Sequence, residues 1–130
     1  MVTEPDVAID TLAHRVIGAA IDVHRKLGPG YLECVYEEAL CVELALRQMH
    51  FARQAPFHLL YKGVPVGERR VDLLVEQRLV VELKAVDRLA PIHLAQALSY
   101  LKALRQPLGL LINFNVPVLR DGIRRRVLNL

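Results

Sequence analysis

No apolar run in this chain reaches the roughly 18 residues that a membrane-spanning helix needs. The first ten residues, MVTEPDVAID, carry acids where a secretory signal carries bases followed by an apolar block. A soluble, cytoplasmic protein with no membrane partner is therefore expected. Linkers, low-complexity tracts and internal repeats are also missing, so residues 1–130 are expected to form one domain around one core. Cysteine is scarce. Cys34 and Cys41 fall on one predicted helix, two turns and roughly 10 Å apart along its axis, which excludes a disulfide between them. With no histidine cluster at ligand spacing, they do not suggest a zinc site either. A strong charge excess is absent too: the net charge of +3 permits a polyanionic partner without requiring one.

What is present is apolar side chain in two different periods. The hydrophobic content of 53% with 24% charged residues suits a folded domain and argues against disorder. From about Val7 to Leu27, Ile9, Leu12, Val16, Ile17, Ala20 and Ile21 recur at helical spacing. GPG at 28–30 ends that helix, and a second is predicted from about Tyr31 to His50. His24, on the apolar stripe of the first helix, reads as a hydrogen-bonded core residue. After Pro56 the period changes. FHLLYKG, RRVDLLVEQ and RLVVELKAV predict three strands, Pro91 opens a helix through PIHLAQALSYLKALRQ, and LGLLINFN predicts a fourth, central strand. Three consecutive strands predict an antiparallel meander, and the crossover helix allows the fourth to return parallel. The fold class is α/β (α+β), a mixed sheet with helices against it.

Within RLVVELKAV, Glu82 and Lys84 interrupt a run that otherwise belongs in a core. Strand side chains alternate, so these two share one face. Buried charges are costly unless they are paired or hold a metal, so the pair is either structural or part of a site. Asp72 lies one hairpin upstream. A turn centred on Gln77 with an odd number of loop residues sets Asp72 opposite Glu82; a two-residue turn puts it on the wrong face. Two converging carboxylates repel unless a cation lies between them, and two acids with waters and a phosphate oxygen is how Mg²⁺ is commonly held. The Lys84 ammonium beside them would orient a water or offset charge on a phosphate. The competing reading is a salt-bridged sheet face.

Asp72 with Glu82-Leu83-Lys84, followed by a helix bearing Gln96 and Tyr100, resembles the core of the PD-(D/E)XK nuclease superfamily. Gly30-Tyr31-Leu32-Glu33-Cys34-Val35-Tyr36 resembles the G-x-x-E-x-x-Y signature of the GxxExxY proteins, a prokaryotic branch of that superfamily. The likeness runs from about His14 to Val127; Val71 stands where the superfamily has proline. It implies a restriction-endonuclease-like αβββαβ core with an extra N-terminal helix. It also implies a Mg²⁺ or Mn²⁺ site at Asp72 and Glu82, Lys84 as third catalytic member, and Glu33 as a helix-borne metal ligand. Read from position alone, Glu33 is a first-turn acid favoured by the helix dipole, and Tyr36 either bonds to it or packs in the core. His93, Gln96 and Tyr100 fall on one helical stripe, and Gln96 and Tyr100 resemble an exonuclease-type Q-x-x-x-Y motif that supports the site.

Arg120, Arg124, Arg125 and Arg126 crowd into LRDGIRRRVLNL. They read either as a solvated helix end or as a patch that touches phosphates. The preferred function is a metal-dependent nuclease acting on nucleic acid, DNA first, and a homodimer is one arrangement such a small core would use to cut both strands. Against it stand a nucleic-acid-binding or partner-docking protein with little turnover on the same fold, and a purely structural ion-pair face.

Overall fold

The structure is a computed structural model that describes residues 6–128. It opens with α1 (Val7–Leu27), where the Asp6 carboxylate accepts the Ile9 N–H at 2.9 Å and so satisfies one of the free amides of the first turn. Gly28, at φ 70°, ends the helix by donating its N–H to the His24 carbonyl. The second helix, α2 (Glu33–Leu46), is shorter at both ends than its apolar pattern suggests. It stops because Gln48 takes φ 60° and Met49 donates its N–H back to the Leu44 carbonyl at 3.0 Å. That is a Schellman closure built without the usual glycine.

Five strands follow: β1 (Phe51–Tyr61), β2 (Val64–Val75), β3 (Leu79–Lys84), β4 (Leu108–Asn113) and β5 (Ile123–Val127), with α3 (Pro91–Leu104) between β3 and β4. Their order in the sheet is the order in the chain. β3 and β4 are parallel and every other neighbouring pair is antiparallel. The expected meander, crossover helix and parallel return are all present. β1 begins at Phe51, ahead of the predicted start at Phe57, and runs straight through Pro56. Proline, which has no N–H to give, is tolerated there because β1 is an edge strand.

The C-terminal segment corrects the helical reading. A 3-10 turn (Leu119–Gly122) leads into β5, which pairs with β4 from Val127↔Leu108 to Ile123↔Ile112. Ile123 and Val127 pack into the core, so the governing period in IRRRV is two. Gly122 is needed at the turn, since a Cβ there would lie 2.2 Å from the Asn113 carbonyl oxygen.

Both faces of the sheet are covered. α1 and α2 pack on one, burying Val16, Tyr36, Leu40 and Leu44 against Leu73, Val81, Leu83, Leu110 and Ile112. α3 packs on the other, bringing Tyr100 and Leu101 against Val80, Val71 and Phe57. All six residues of β4 are buried, as expected of a strand with helices on both sides. His24 is a core residue whose Nε2–H donates to the Val116 carbonyl at 2.8 Å. Among the described residues no helix is long and apolar enough to cross a membrane.

Candidate active site

The β2–β3 hairpin pairs Leu73↔Val81, Leu74↔Val80 and Val75↔Leu79, leaving a three-residue loop of Glu76, Gln77 and Arg78. The loop centres on Gln77, with Glu76 and Gln77 at φ 52° and 58°. One further step in this register sets Asp72 opposite Glu82. There the side chains take over from the backbone ladder: the Asp72 N–H donates to Glu82 Oε1, and the Leu83 N–H donates to Asp72 Oδ2, both at 2.8 Å. Each acid is thus held by an amide of the other's strand. The arrangement fixes both carboxylates at the end of the ladder without a salt bridge between the strands.

On the other side of Asp72, β1 contributes Gln54 at φ 52°, where the β1–β2 pairing skips from Arg53↔Leu73 to Ala55↔Val71. Side-chain alternation reverses at this level. Phe51 packs with α1 and α2, whereas Ala55, Phe57 and Leu59 pack toward α3. The Gln54 amide uses the distortion to bridge two acids, donating to Asp72 Oδ1 at 3.1 Å and to Glu37 Oε1 at 2.8 Å. Arg53 then ties Glu37 and Glu38 to the edge strand at 2.7 and 2.5 Å. Glu37, Gln54 and Arg53 were not anticipated. Glu37 follows Glu33 by one helical turn, which was a usable signal; nothing in the sequence around Gln54 announces the bridge.

The electrostatics are those of acids held out of water beside one another. Glu82 is buried, and burial first, then the charge of Asp72, pushes its pKa up to about 8. Burial likewise raises Asp72, against the hydrogen bonds from Leu83 and Gln54. Exposed Glu33 is raised by desolvation and then by Asp72. Half-buried Lys84 is the cation that opposes all three shifts. The four residues therefore share one electrostatic neighbourhood, with Glu33 arriving from the first turn of α2. Tyr100 arrives from α3 on the opposite layer; burial and then Glu82 hold its hydroxyl above the usual phenol range.

Among the described residues, no group of three or more His, Cys, Asp or Glu is arranged to hold a metal ion. Glu33 does not close such a group with Asp72 and Glu82. The available donors are two hard carboxyl groups whose proton affinity is raised first by burial, with the charge of Asp72 adding at Glu82. That set fits Mg²⁺ or Mn²⁺, which take oxygen ligands and, for Mg²⁺, retain several waters, and it does not fit a closed zinc cage.

The supporting residues separate. Gln96 Nε2 donates to the Tyr100 hydroxyl at 3.2 Å, and the Tyr100 ring meets Phe57 edge-on at 5.0 Å. His93 instead caps α3, its Nδ1 accepting the Ala90 N–H at 2.9 Å. Tyr36 is fully buried, stacked on Phe114 at 4.6 Å, donating to the Gly28 carbonyl and accepting the Tyr31 N–H. Of the two roles open to it, core packing is the one it takes. The C-terminal arginines form no single patch, because β5 alternates. Arg125 reaches α1 and pairs with Asp10 at 2.6 Å, while exposed Arg124 donates to the Asp121 and Ile123 carbonyls. Arg126 is half-buried with an Nε that has no hydrogen-bond partner among the described residues, and Arg120 is exposed in the 3-10 turn.

No curated protein and no solved structure matches the chain. A family model described as the PD-(D/E)XK nuclease superfamily matches residues 10–126, nearly the whole of it. The mixed five-stranded sheet, with a helix before the meander and another at the crossover, is consistent with the restriction-endonuclease-like fold of that superfamily. Fold and match together place this chain in the PD-(D/E)XK nuclease superfamily.

Proposed function

We propose that the chain is a Mg²⁺- or Mn²⁺-dependent nuclease that hydrolyses phosphodiester bonds in nucleic acid, with DNA as the preferred substrate. The observation that carries this reading is the reciprocal hold of Asp72 and Glu82, which leaves two carboxyl groups fixed side by side near one lysine. Asp72 and Glu82 would hold the ion, with Glu33 reaching its water shell. When bound, the ion supplies charge neutralisation at the phosphate and a more acidic water. Lys84 then offers a cation where negative charge grows on the phosphate oxygens, a role worth most where water is scarce. Gln54 and the Leu83 amide keep Asp72 from turning away. Tyr100, braced by Gln96, presents a hydroxyl near Glu82.

We further assign the chain to the GxxExxY branch on Gly30, Glu33 and Tyr36. The spacing has a physical reading here. Gly30 takes φ 107°, Tyr36 locks the turn through Gly28 and Tyr31, and Glu33 is thereby held in the first turn of α2 facing the acids. A GxxExxY motif is thus a turn lock with a site residue inside it.

The test is cleavage of labelled single-stranded, duplex and branched DNA and RNA with and without Mg²⁺ or Mn²⁺, beside thermal melts. A ligand that binds only the folded state raises the melting temperature, so the wild type should show a metal-dependent shift that Asp72→Ala largely loses. Lys84→Ala should keep the shift and lose cleavage. A protein that binds these substrates yet cuts none, and melts alike with and without metal, is the binding protein on the same fold.

A further inference from the structure

α2 buries one side and leaves a second apolar stripe largely uncovered, its middle residue Ala39 packing partly against the core. Tyr36, Leu40, Cys41 and Leu44 face the core. Leu32 at the N-cap is 75% exposed, Val35 37%, Val42 55% and Leu46 74%, with half-buried Ala39 between them. The positions 32, 35, 39, 42 and 46 are spaced three, four, three, four, the repeat by which one helix packs along another. An ordinary surface helix carries polar residues there.

The order of residue types along this stripe is Leu, Val, Ala, Val, Leu, which reads the same in both directions. A two-fold axis through Ala39 would therefore set Leu32 against Leu46 of a second copy, Val35 against Val42, and Ala39 against itself. The smallest side chain falls where two crossing helices come closest. Self-complementarity of this kind is the requirement of an isologous contact, in which one patch must fit its own copy. Ala39 also lines a groove of about 440 Å³ between α1 and α2, whose other walls combine Val23 and Leu27 with the charged Asp22, Arg25, Lys26 and Glu43. The acids flanking the stripe already have partners: Glu38 pairs with Arg53 at 2.5 Å and Glu43 with Arg47 at 2.8 Å, each arginine also serving a second acid, Glu37 or Asp22. Bringing each beside its own copy therefore carries a reduced repulsion.

We propose that α2 is the interface of a two-fold homodimer, with the α2 helices antiparallel and crossing at Ala39. The contact is independent of the nuclease reading, since it uses none of the site carboxylates. Glu33 lies at one end of the stripe, so the dimer carries its two sites at opposite ends of the helix pair. A 14-residue helix is about 21 Å long, and the contact falls at the small end of specific interfaces, for which about 800 Å² per partner is standard. Dissociation at micromolar concentrations is the expected consequence.

Sedimentation velocity from low micromolar to millimolar protein tests this without any substrate or metal. The wild type should pass from monomer to dimer across that range. Val42→Glu and Leu46→Glu, both at exposed positions, should each weaken association by at least about tenfold, because a charge would be forced into the contact. Their far-UV circular dichroism should match the wild type. Val35→Lys alone should also dissociate the dimer, whereas Val35→Lys combined with Val42→Glu in one chain should restore it in a salt-sensitive form. A wild type that stays monomeric throughout, or a Leu46→Glu variant that stays dimeric, overturns the proposal. Failure of the paired variant to recover association overturns the antiparallel register.

Discussion

Two groups of charged residues in this protein behave in opposite ways. Asp72 and Glu82 are ten residues apart in the chain, yet a three-residue loop brings Glu82 to the Asp72 N–H and Asp72 to the Leu83 N–H, both at 2.8 Å. Arg124, Arg125 and Arg126 are consecutive, yet β5 sends Arg125 to Asp10 on α1 while its neighbours point away from α1. Nearness along the chain is a poor guide to convergence in a sheet, because the two-residue period separates neighbours and the hairpin register joins distant residues. Consecutive charges on a strand are therefore divided between two faces. Two acids separated by a turn of the right length are brought together.

The sharpest way to break the contrast is to remove the convergent group. Asp72→Ala, Glu82→Ala and Lys84→Ala should each lower cleavage by about 100- to 1,000-fold in single-turnover assays, the scale of losing one electrostatic stabiliser in a dry site. Gln54→Ala tests the support beneath them. It leaves the carboxylates but removes the bridge between Asp72 and Glu37, and outer partners of metal ligands are typically worth about 10- to 100-fold in metal affinity. Isothermal calorimetry with Mn²⁺ would read that loss.

A third measurement uses pH. The folded-state pKa of Glu82 is raised from the ordinary 4.5 to about 8, so the native protein holds a proton that the unfolded chain releases. That stabilisation is complete below the unfolded value and is lost as pH rises through the folded one. Metal-free protein should melt at progressively lower temperature between about pH 5 and 9, and Glu82→Gln should flatten the profile. A profile that rises with pH in that range would place the proton elsewhere. The smallest effects belong to the divergent group. If Arg124 and Arg126 touch phosphates, replacing both should reduce the slope of log affinity against log salt by about 2, whereas Arg125→Ala should leave the slope unchanged. Loss of its half-exposed pair with Asp10 should cost no more than about 1 kcal/mol of stability.

Much of this architecture could be read from periodicity. Ile9 to Val23 repeats at helical spacing, Leu73 with Val75 and Leu79 to Leu83 repeat at two, and Pro91 and Pro107 bracket the crossover helix. These are local statements, and burial of one face enforces them wherever the chain ends up. The opposition of Asp72 and Glu82 was legible for the same reason, since an odd loop centred on Gln77 is the register that keeps Leu73, Val75, Leu79 and Val81 on the core side together. Tertiary structure alone decided the rest. β5 hides in an arginine run because only Ile123 and Val127 need the core, and the pairing that makes it a strand comes from β4. Gln54 becomes a bridge only because β1, freed at the sheet edge, distorts beside Asp72 and turns the amide toward Glu37 on a helix from another layer. Period and loop length are properties of adjacent residues, and a sequence states them directly. Which distant polar group meets which depends on how layers settle against each other, and no single stretch of chain contains that information.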